Sequence, residues 1–415
     1  MTKKVWNKRL VFCITLLIVL LANNIGLAAK LTMVGPFTNF TKDLKVALDG
    51  FTARYGVEVE VISTREWKEK VMVMSAAGEA PDVIYGDGTH VSNLAVNNLT
   101  MPIDELVARD NIKVQRYPKP VIDWHTYKGA LYGLPTALSP HVTYFNPEHY
   151  RQVGLNRPPT NWASNDWLWD DFVTTMRKLT RDTDGDGKIN QYGADGMGWP
   201  GGMNFLFLWG LTWTDKAVTE FYGDTAEVIS AVEQMSSLWT KHDAMGGSIL
   251  QGTASNSLQQ AFFINTLLLQ SKMFEWDLAI LPKATHRVTY SGFHGLAISN
   301  QTKQVDMAWN LVRWLAYDTE GAIPFARAEN RVPVLPETAR DFVNRFQNKL
   351  PNVNWQVITD SVHYAAADAY LFHPKSREIF NAIVDAGRQI LRKEDSVRTI
   401  MESMAPKVRS YIAER

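Results

Sequence analysis

The stretch at residues 129–150, GALYGLPTALSPHVTYFNPEHY, decides how the chain is organised. It opens with a small-residue turn, passes Pro135 and continues as an extended, partly β-branched segment at 142–145. Asn146 and Pro147 end that segment, because proline removes a backbone donor and moves the preceding residue away from helical dihedrals. A short strand that contains polar groups and has a proline break on each side is a poor core strand. We therefore predict a crossover strand that leaves one lobe of the protein and enters another.

Length and composition limit the classes of protein to which the chain can belong. At 415 residues it is too long for one ordinary core, which predicts two lobes. The 43 Lys and Arg residues equal the 43 Asp and Glu residues, so the overall charge gives no indication of a nucleic-acid partner. The single cysteine, Cys13, lies near the start, so the mature chain is expected to have no disulfide and no cysteine nucleophile.

Residues 1–29 are typical of a secretory signal peptide. A basic start precedes a continuous apolar run at 10–22, and the small residues around Ala28 and Ala29 predict cleavage near that point. Retention of the run as a membrane anchor is the alternative, because its length is close to the limit for a span. Cys13 follows a bulky Phe12 and is a poor lipid-attachment site, so we expect a periplasmic or secreted protein that is not a lipoprotein.

Strand and helix patterns alternate after the leader. The predicted order is a strand at 30–34, a helix at 40–55, a strand at 57–62, a helix at 67–77 and a strand at 82–85. This order predicts the α/β class, with a mainly parallel sheet covered by helices. Ligands of such sheets bind at the carboxyl ends of the strands, which places residues 37–39 and 85–89 at one edge.

Further motifs follow one another along the whole mature chain. They are YGV at 55–57, AAGEAPDV at 76–83, LTMPI at 99–103, LYGLP at 131–135, YFN at 144–146, PPTNW at 158–162, WDDF at 169–172, WDLAILP at 276–282, and GLAIS at 295–299 followed by AWNLVRWL at 308–315. In this order and spacing they resemble the bacterial extracellular solute-binding proteins of the sugar-transporter type, the maltose-binding-protein-like family.

The resemblance implies a periplasmic-binding-protein-like type II fold, in which crossover strands join two lobes around a cleft. Residues 30–140 with 291–340 would form lobe 1, and residues 141–290 with 341–415 would form lobe 2. The implied function is a monomeric extracytoplasmic receptor of an ABC importer. It would bind a carbohydrate, deliver it to a membrane permease by hinge closure, and need no cofactor. A secreted glycoside-active enzyme and the ligand-binding component of a sensory system are the alternatives.

Eight residues are candidates for the lining of the cleft: Phe37, Asn39, Asp87, His141, Tyr144, Trp199, His294 and Arg377. Asp87 and Asn39 would take sugar hydroxyls, and aromatic rings such as Trp199 would stack on the sugar, as would Tyr144 and Phe37. A glycosidase needs two carboxylates across the scissile bond, and these edges offer only Asp87, so no catalytic residue is predicted. Residues 262–273 are shorter than in the family, which puts one usual ligand contact in doubt.

An acidic loop follows the helix that begins at Trp169. Its candidate metal ligands are Asp182, Asp184, Asp186, Lys188 and Asn190. Carboxylates on alternate residues, with Gly187 at the sixth position, match the first half of a calcium loop. The twelfth position is Gly193 instead of the expected glutamate. Two interpretations stay open, a structural calcium site and a solvated turn.

Overall fold

The computed structural model describes residues 30–37, 42–86, 90–270 and 274–414. The predicted signal peptide at 1–29 and two of the predicted site residues, Asn39 and Asp87, lie outside these ranges. Within the described ranges, no helix combines the length and the apolar character that a bilayer span requires.

Twelve strands are present in the described part of the chain. They are β1 Lys30–Gly35, β2 Glu58–Ser63, β3 Val83–Gly86, β4 Thr126–Tyr127, β5 Ala130–Leu131, β6 Leu134–Phe145, β7 Tyr192–Met197, β8 Ala254–Gln260, β9 Asp277–Ala279, β10 Thr289–Ile298, β11 Val332–Pro333 and β12 Ala365–Ala366.

Fifteen α-helices are present in the same ranges. They are α1 Lys42–Tyr55, α2 Trp67–Ala76, α3 His90–Val96, α4 Asp104–Arg109, α5 Lys119–Asp123, α6 Pro147–Gln152, α7 Trp169–Leu179, α8 Ala226–Thr240, α9 Ile264–Gln270, α10 Val305–Ala316, α11 Thr319–Glu329, α12 Pro336–Gln347, α13 Gln356–Asp360, α14 Ser376–Leu391 and α15 Val397–Ala413. Short 3₁₀ segments include Pro200–Trp209, Ala261–Phe263 and Ala369–Phe372.

The main sheet has the strand order β2-β1-β3-β10-β6-β8-β7. Strand β1 pairs in parallel with both β2 and β3, which confirms the predicted βαβαβ start. Strand β10 comes from far along the chain and pairs antiparallel with both β3 and β6, so the sheet is mixed. The structure is therefore α/β, and a late segment completes the sheet that the first segments begin.

Strand β6 belongs to two pairings in turn. Its residues 134–140 pair with β10, whereas its residues 141–145 pair with β8, and 143–145 also pair with β9. We call the sheet of β1, β2, β3, β10 and the first part of β6 lobe 1, and the sheet of β7, β8, β9 and the last part of β6 lobe 2. The crossover prediction is thereby confirmed, while the residue boundaries of the two lobes stay a prediction.

The predicted crossover strand was too short. Strand β6 has twelve residues, and each of them is buried, including Pro135 and Pro140. Proline is tolerated where ladder hydrogen bonds are already interrupted, and Pro140 lies where the partner of β6 changes from β10 to β8. The prolines therefore lie inside the strand and do not end it.

Helices cover the sheet of lobe 1 on both faces. Helix α1 packs against α11, and α10 packs against β10 and α11. A separate cluster forms where Trp67 and Val71 of α2 pack on Val34 and Ile84 of the strands. Burial of these apolar surfaces is the main favourable term that holds the helices on the sheet.

The C-terminal helices pack on elements that follow β7 and on each other. Helix α14 contacts α15, the 3₁₀ segment Pro200–Trp209 and α8. The contact with the 3₁₀ segment is close, because a Cβ atom at Gly387 would clash with the carbonyl oxygen of Pro200. A glycine at this position of α14 allows the two backbones to meet.

One buried side chain ties the two crossover strands together at the end of their shared ladder. The Thr289 hydroxyl accepts a hydrogen bond from the backbone N–H of His141 (2.9 Å) and donates one to its carbonyl oxygen (2.7 Å). Thr289 has no exposed surface, so water cannot replace either bond. The hydroxyl thus satisfies both backbone groups of His141.

Replacement of Thr289 by the isosteric Val should destabilise the protein, because both polar backbone groups of His141 lose a partner in a buried place. We expect the free energy of unfolding to fall by about 2–4 kcal/mol. Urea unfolding followed by tryptophan fluorescence measures the change. Thr240→Val is the matched control, since the Thr240 hydroxyl only bonds the Ser236 carbonyl within α8. Equal midpoints for the two variants would contradict the proposed importance of this tie.

Candidate functional site

The ends of several strands meet beside the middle of the two crossover strands. In lobe 1, β3 ends at Gly86, which lies opposite Gly295 of β10. In lobe 2, β8 ends at Gln260, which lies opposite His141 of β6. Because ligands bind outside the carboxyl ends of strands in α/β sheets, the space between these ends is the candidate cleft. We call Ser139, His141, Tyr290 and His294 on the crossover strands the crossover floor.

Ser139 and His294 form a hydrogen-bonded pair on the crossover floor. The Ser139 Oγ lies 2.9 Å from the His294 Nε2, and both side chains are buried. The Nη1 of Arg331 donates a hydrogen bond to the same Oγ at 3.0 Å. The hydroxyl therefore accepts from Arg331 and shares a second hydrogen bond with the imidazole of His294, whose ring also stacks on Tyr85 with centroids 6.5 Å apart.

A buried carboxyl group lies behind this pair. The Glu329 Oε1 accepts hydrogen bonds from the Tyr85 hydroxyl (2.7 Å) and from the Thr136 hydroxyl (2.6 Å). Burial raises the pKa of Glu329 to about 7, and the two donors and Arg331 only partly oppose this rise. Glu329 joins α11 to strands β3 and β6, so it fixes the lobe 1 side of the crossover floor.

His141 is part of a second buried network on the lobe 2 side. Its Nδ1 lies 3.0 Å from the Tyr290 carbonyl oxygen, and its Nε2 lies 3.2 Å from the Asn204 amide nitrogen. Nδ1 therefore carries the proton and Nε2 accepts. Burial lowers the pKa of His141 to about 4, so the ring is neutral at neutral pH. The Asn204 Oδ1 in turn accepts the backbone N–H of Trp199 at 2.8 Å.

Trp199 is the aromatic residue that this network positions. It is partly buried, and its ring packs edge-to-face on Tyr290 (5.0 Å) and on Phe380 (4.7 Å). A tryptophan that is held on one side and accessible on the other can stack on the apolar face of a sugar. The structure thus brings Trp199 and His141 together on the lobe 2 side, while His294 lies on the lobe 1 side of the same floor.

Tyr144 does not have the environment predicted for it. Its side chain has no exposed surface, and its hydroxyl donates to the Ala261 carbonyl oxygen at 2.9 Å. It points to the opposite side of β6 from Ser139 and His141, because successive side chains of a strand alternate. The expected stacking role of Tyr144 is therefore corrected to a core role that joins β6 to the end of β8.

Phe37 and Arg377 also lie elsewhere than expected. Phe37 is buried and stacks on Tyr85 with ring centroids 5.3 Å apart, so in this structure it packs in lobe 1 and does not offer a face to a ligand. Arg377 is exposed at the start of α14, 3.9 Å from the carboxylate of Glu69 in α2. Its side chain is 83% exposed and faces solvent, so the structure does not place it in the lining of the cleft.

The acidic loop at 182–190 is exposed and is held by its own backbone. The Asp182 carboxylate accepts the N–H groups of Asp184, Gly185 and Gly187. Gly187 has a φ of 86°, which confirms the predicted sharp turn. Ligand oxygens of Asp182, Asp184 and Asp186 lie within 4.8 Å of one another. Calcium binding stays a prediction, and the donor set is compatible with a hard cation.

Comparisons with known proteins agree on one fold. The profile of the family described as bacterial extracellular solute-binding protein matches residues 47–349. An ABC substrate-binding protein from Listeria monocytogenes in complex with cycloalternan has a TM-score of 0.74 at 16% identity, over 93% of this chain and 99% of that chain. A sugar transporter from Rhizobium etli in an open conformation has a TM-score of 0.75 at 18% identity, over 92% and 100%.

A third solved structure widens the range of ligands among the relatives. UgpB from Mycobacterium tuberculosis in complex with glycerophosphocholine has a TM-score of 0.73 at 16% identity, over 93% of this chain and 99% of that chain. No curated protein matches the sequence. At these identities the structural likeness shows the two-lobed type II fold, and it does not identify a ligand.

The buried Glu329 should make stability depend on pH. Its pKa is about 7 in the folded protein against 4.5 for the free group, so the native state retains a proton that the unfolded chain releases between these values. The contribution of this proton to the free energy of unfolding is fully present below pH 4.5 and is lost as the pH rises through 7. Glutamine does not titrate, so it does not lose this stability. As the pH rises from 5 to 8, we expect the free energy of unfolding of Glu329→Gln to increase by on the order of 2 kcal/mol relative to that of the wild type.

Urea unfolding at a series of pH values measures this difference. Glu148→Gln is the control, because hydrogen bonds from Arg151 and Gln152 lower the pKa of the exposed Glu148 and its titration falls below the range tested. A pH-independent difference between the wild type and Glu329→Gln would show that Glu329 does not titrate in this window.

Calcium should stabilise the wild type if the acidic loop binds it. We expect millimolar CaCl₂ to raise the unfolding temperature of the wild type and to leave that of the Asp184→Asn, Asp186→Asn double variant unchanged, since bound ligands stabilise by mass action. Magnesium at the same concentration controls for ionic strength. An equal response of both proteins to calcium would leave the loop as a solvated turn.

Proposed function

Because the chain belongs to the family of bacterial extracellular solute-binding proteins, we propose that it is the solute receptor of an ABC importer and that its ligand is a carbohydrate. Proteins of this family bind small molecules and interact with ABC permeases. The carbohydrate assignment is our proposal, and one observation carries it. Trp199 is held half-buried between Phe380 and Tyr290 of the crossover floor, whose other members are the buried polar residues Ser139, His141 and His294.

This combination suits a sugar. A pyranose presents an apolar C–H face that packs on aromatic rings, and its hydroxyls need short, directed hydrogen-bond partners. The Trp199 ring meets the first need. The buried Ser139 and His294 bond each other and fix the floor beside which the partners of the hydroxyls would lie. Several structural neighbours are sugar-binding proteins, including those in complex with cycloalternan, with α-D-tagatose and with maltotetraose.

Delivery would depend on movement of the lobes about the crossover strands. Strand β6 changes partner between Pro140 and His141, and β10 ends its pairing with β6 at Ser291. We propose these points as the lobe boundaries, with residues 30–140 and 291–340 in lobe 1 and the remainder of the mature chain in lobe 2. A ligand that contacts both lobes would favour the closed state, which a permease can distinguish from the open one.

The alternatives have less support. A glycoside hydrolase needs two opposed carboxylates, and among the described residues of the crossover floor and its immediate partners only Glu329 carries one. That carboxyl is buried under Tyr85 and Thr136, so it does not face a substrate. A sensory component would use the same fold, and a partner protein other than a permease would distinguish it.

The family implies an extracytoplasmic protein. Our further proposals concern its export, its oligomeric state and its need for a cofactor. We propose that residues 1–29 direct export and are removed near Ala28 or Ala29, and that the mature protein acts as a monomer without a cofactor. N-terminal sequencing of the exported protein and its mass in solution test these two statements.

A thermal-shift screen against a panel of mono- and oligosaccharides tests the proposed ligand class. We expect at least one sugar to raise the unfolding temperature, since a ligand at about 100 times its Kd stabilises by roughly 2.7 kcal/mol. Trp199→Leu should weaken the binding of that sugar about tenfold or more, because the stacking surface is lost.

Trp239→Leu is the matched control, since Trp239 is also partly buried but lies on α8, away from the crossover floor. We expect it to bind the sugar as the wild type does. Protection by a peptide, a polyamine or a metal with no protection by any sugar would reject the carbohydrate, and turnover of a chromogenic glycoside would favour the enzyme.

A further inference from the structure

Arg331 occupies a distinctive place between the two lobes. It follows the end of α11 and precedes β11, whose Val332 pairs with Leu138 of β6, so Arg331 lies beside Ser139. Its Nη1 bonds the Ser139 hydroxyl of the crossover floor at 3.0 Å. Its guanidinium carbon lies 5.4 Å from the ring centroid of Phe262, which follows β8 of lobe 2. The side chain therefore touches a crossover strand and both lobes.

These two contacts fix the guanidinium but leave most of its donors available. A guanidinium has five N–H donors, and the bond to Ser139 is the one hydrogen bond that Arg331 makes among the described residues. The group is partly exposed, so its other donors can reach a ligand. An aromatic face stabilises a cation through the ring quadrupole without consuming any hydrogen-bond donor. Phe262 is itself 43% exposed, so the pair lies at an accessible surface.

In the described part of the chain, Arg331 has no carboxylate within 4.0 Å, a property that it shares with the partly exposed Arg181, Arg287 and Arg345. Other arginines of the same part form ion pairs. Arg313 pairs with Asp110 and Asp318, Arg116 with Glu337, and Arg327 with Asp341. The acid nearest along the chain is Glu329. Its Oε1 accepts from Tyr85 and Thr136, and Arg331 acts on its carboxyl only from beyond 4.0 Å, where it lowers the Glu329 pKa. Within residues 30–37, 42–86, 90–270 and 274–414, the positive charge of Arg331 is therefore not paired with a carboxylate.

We propose that Arg331 binds an anionic group of the ligand, so that the preferred ligand is an acidic carbohydrate. This inference rests on the proposed function and specifies its substrate class. The planar fork of a guanidinium matches the two oxygens of a carboxylate or of a phosphate, and such charge-assisted pairs are stronger than neutral hydrogen bonds. A uronic acid and a sugar phosphate share this chemistry.

The position of Arg331 also links recognition to closure. The anion would lie at a guanidinium that lobe 1 supplies and that packs on Phe262 of lobe 2. Separation of the lobes would expose that guanidinium to water and weaken its interaction with the anion, because the local dielectric constant would rise. The acidic ligand therefore favours the closed state more than its neutral analogue does.

Matched sugars test the proposal by thermal shift and calorimetry. Galactose is compared with galacturonate and with galactose 6-phosphate, and glucose with glucuronate and glucose 6-phosphate. We expect at least one acidic member to bind about tenfold or more tightly than its neutral partner, and its affinity to fall with added salt. The carboxylate and phosphate arms show which anion fits.

Two variants at Arg331 and one control variant separate an effect on recognition from an effect on folding. Arg331→Gln should bring the ratio of acidic-sugar affinity to neutral-sugar affinity, measured on the same variant, close to one, while Arg331→Lys should keep part of the preference. Arg340→Gln, which removes an exposed arginine on α12, should change neither affinity. Unfolding of the free variants confirms that each is folded.

The outcomes distinguish this proposal from the proposed function. If neutral sugars bind and their acidic analogues bind no more tightly, the role of Arg331 is rejected and the carbohydrate receptor stands. If Arg331→Gln retains the full preference for the acidic sugar, another residue binds the anionic group and the proposal is likewise rejected. If no sugar of either kind binds, the carbohydrate assignment itself fails, and the proposal fails with it.

Discussion

The pairing of β6 with β10 is the constraint on which the rest of the structure depends. These two strands run side by side over residues 134–140 and 291–296, and the Thr289 hydroxyl closes the ladder on the backbone of His141. The same strands carry Ser139 and His294 toward the candidate cleft. Because one ladder both joins the lobes and forms the floor of the site, any change in its register would move the lobes and the binding groups together.

Two kinds of side chain lie in and around the crossover floor. His141 and Glu329 are buried groups, and each holds neighbouring elements together. Burial lowers the pKa of His141 and raises that of Glu329, so in both cases it favours the uncharged form. Arg331 and Trp199 keep part of their surface accessible and are positioned by buried partners, Ser139 and Asn204 respectively. A rigid buried layer therefore supports the few groups that can contact a ligand, which limits the entropy lost on binding.

Local patterns predicted the fold well and the site less well. The βαβαβ start and the crossover at 129–150 depend on periodicity and turn residues that neighbouring positions reveal. Tyr144 was misassigned because alternation along a strand does not tell which face is buried until the partners are known. Arg331 could not be found, since it lies 192 positions from Ser139 in the chain and no local pattern signals their contact. Asn39 and Asp87 stay predictions.

The late origin of β10 has a consequence for how the protein forms. Strand β3 pairs with β1 on one edge and with β10 on the other, and helices α10 and α11, which pack on the same lobe, follow β10 in the chain. A nascent polypeptide that ends before Thr289 therefore has an unpaired β3 edge and an uncovered α1 face, and cannot finish its first lobe. Such delayed, long-range closure slows folding. A slowly folding chain stays extended for longer, which suits a protein that has to leave the cytoplasm before it becomes compact.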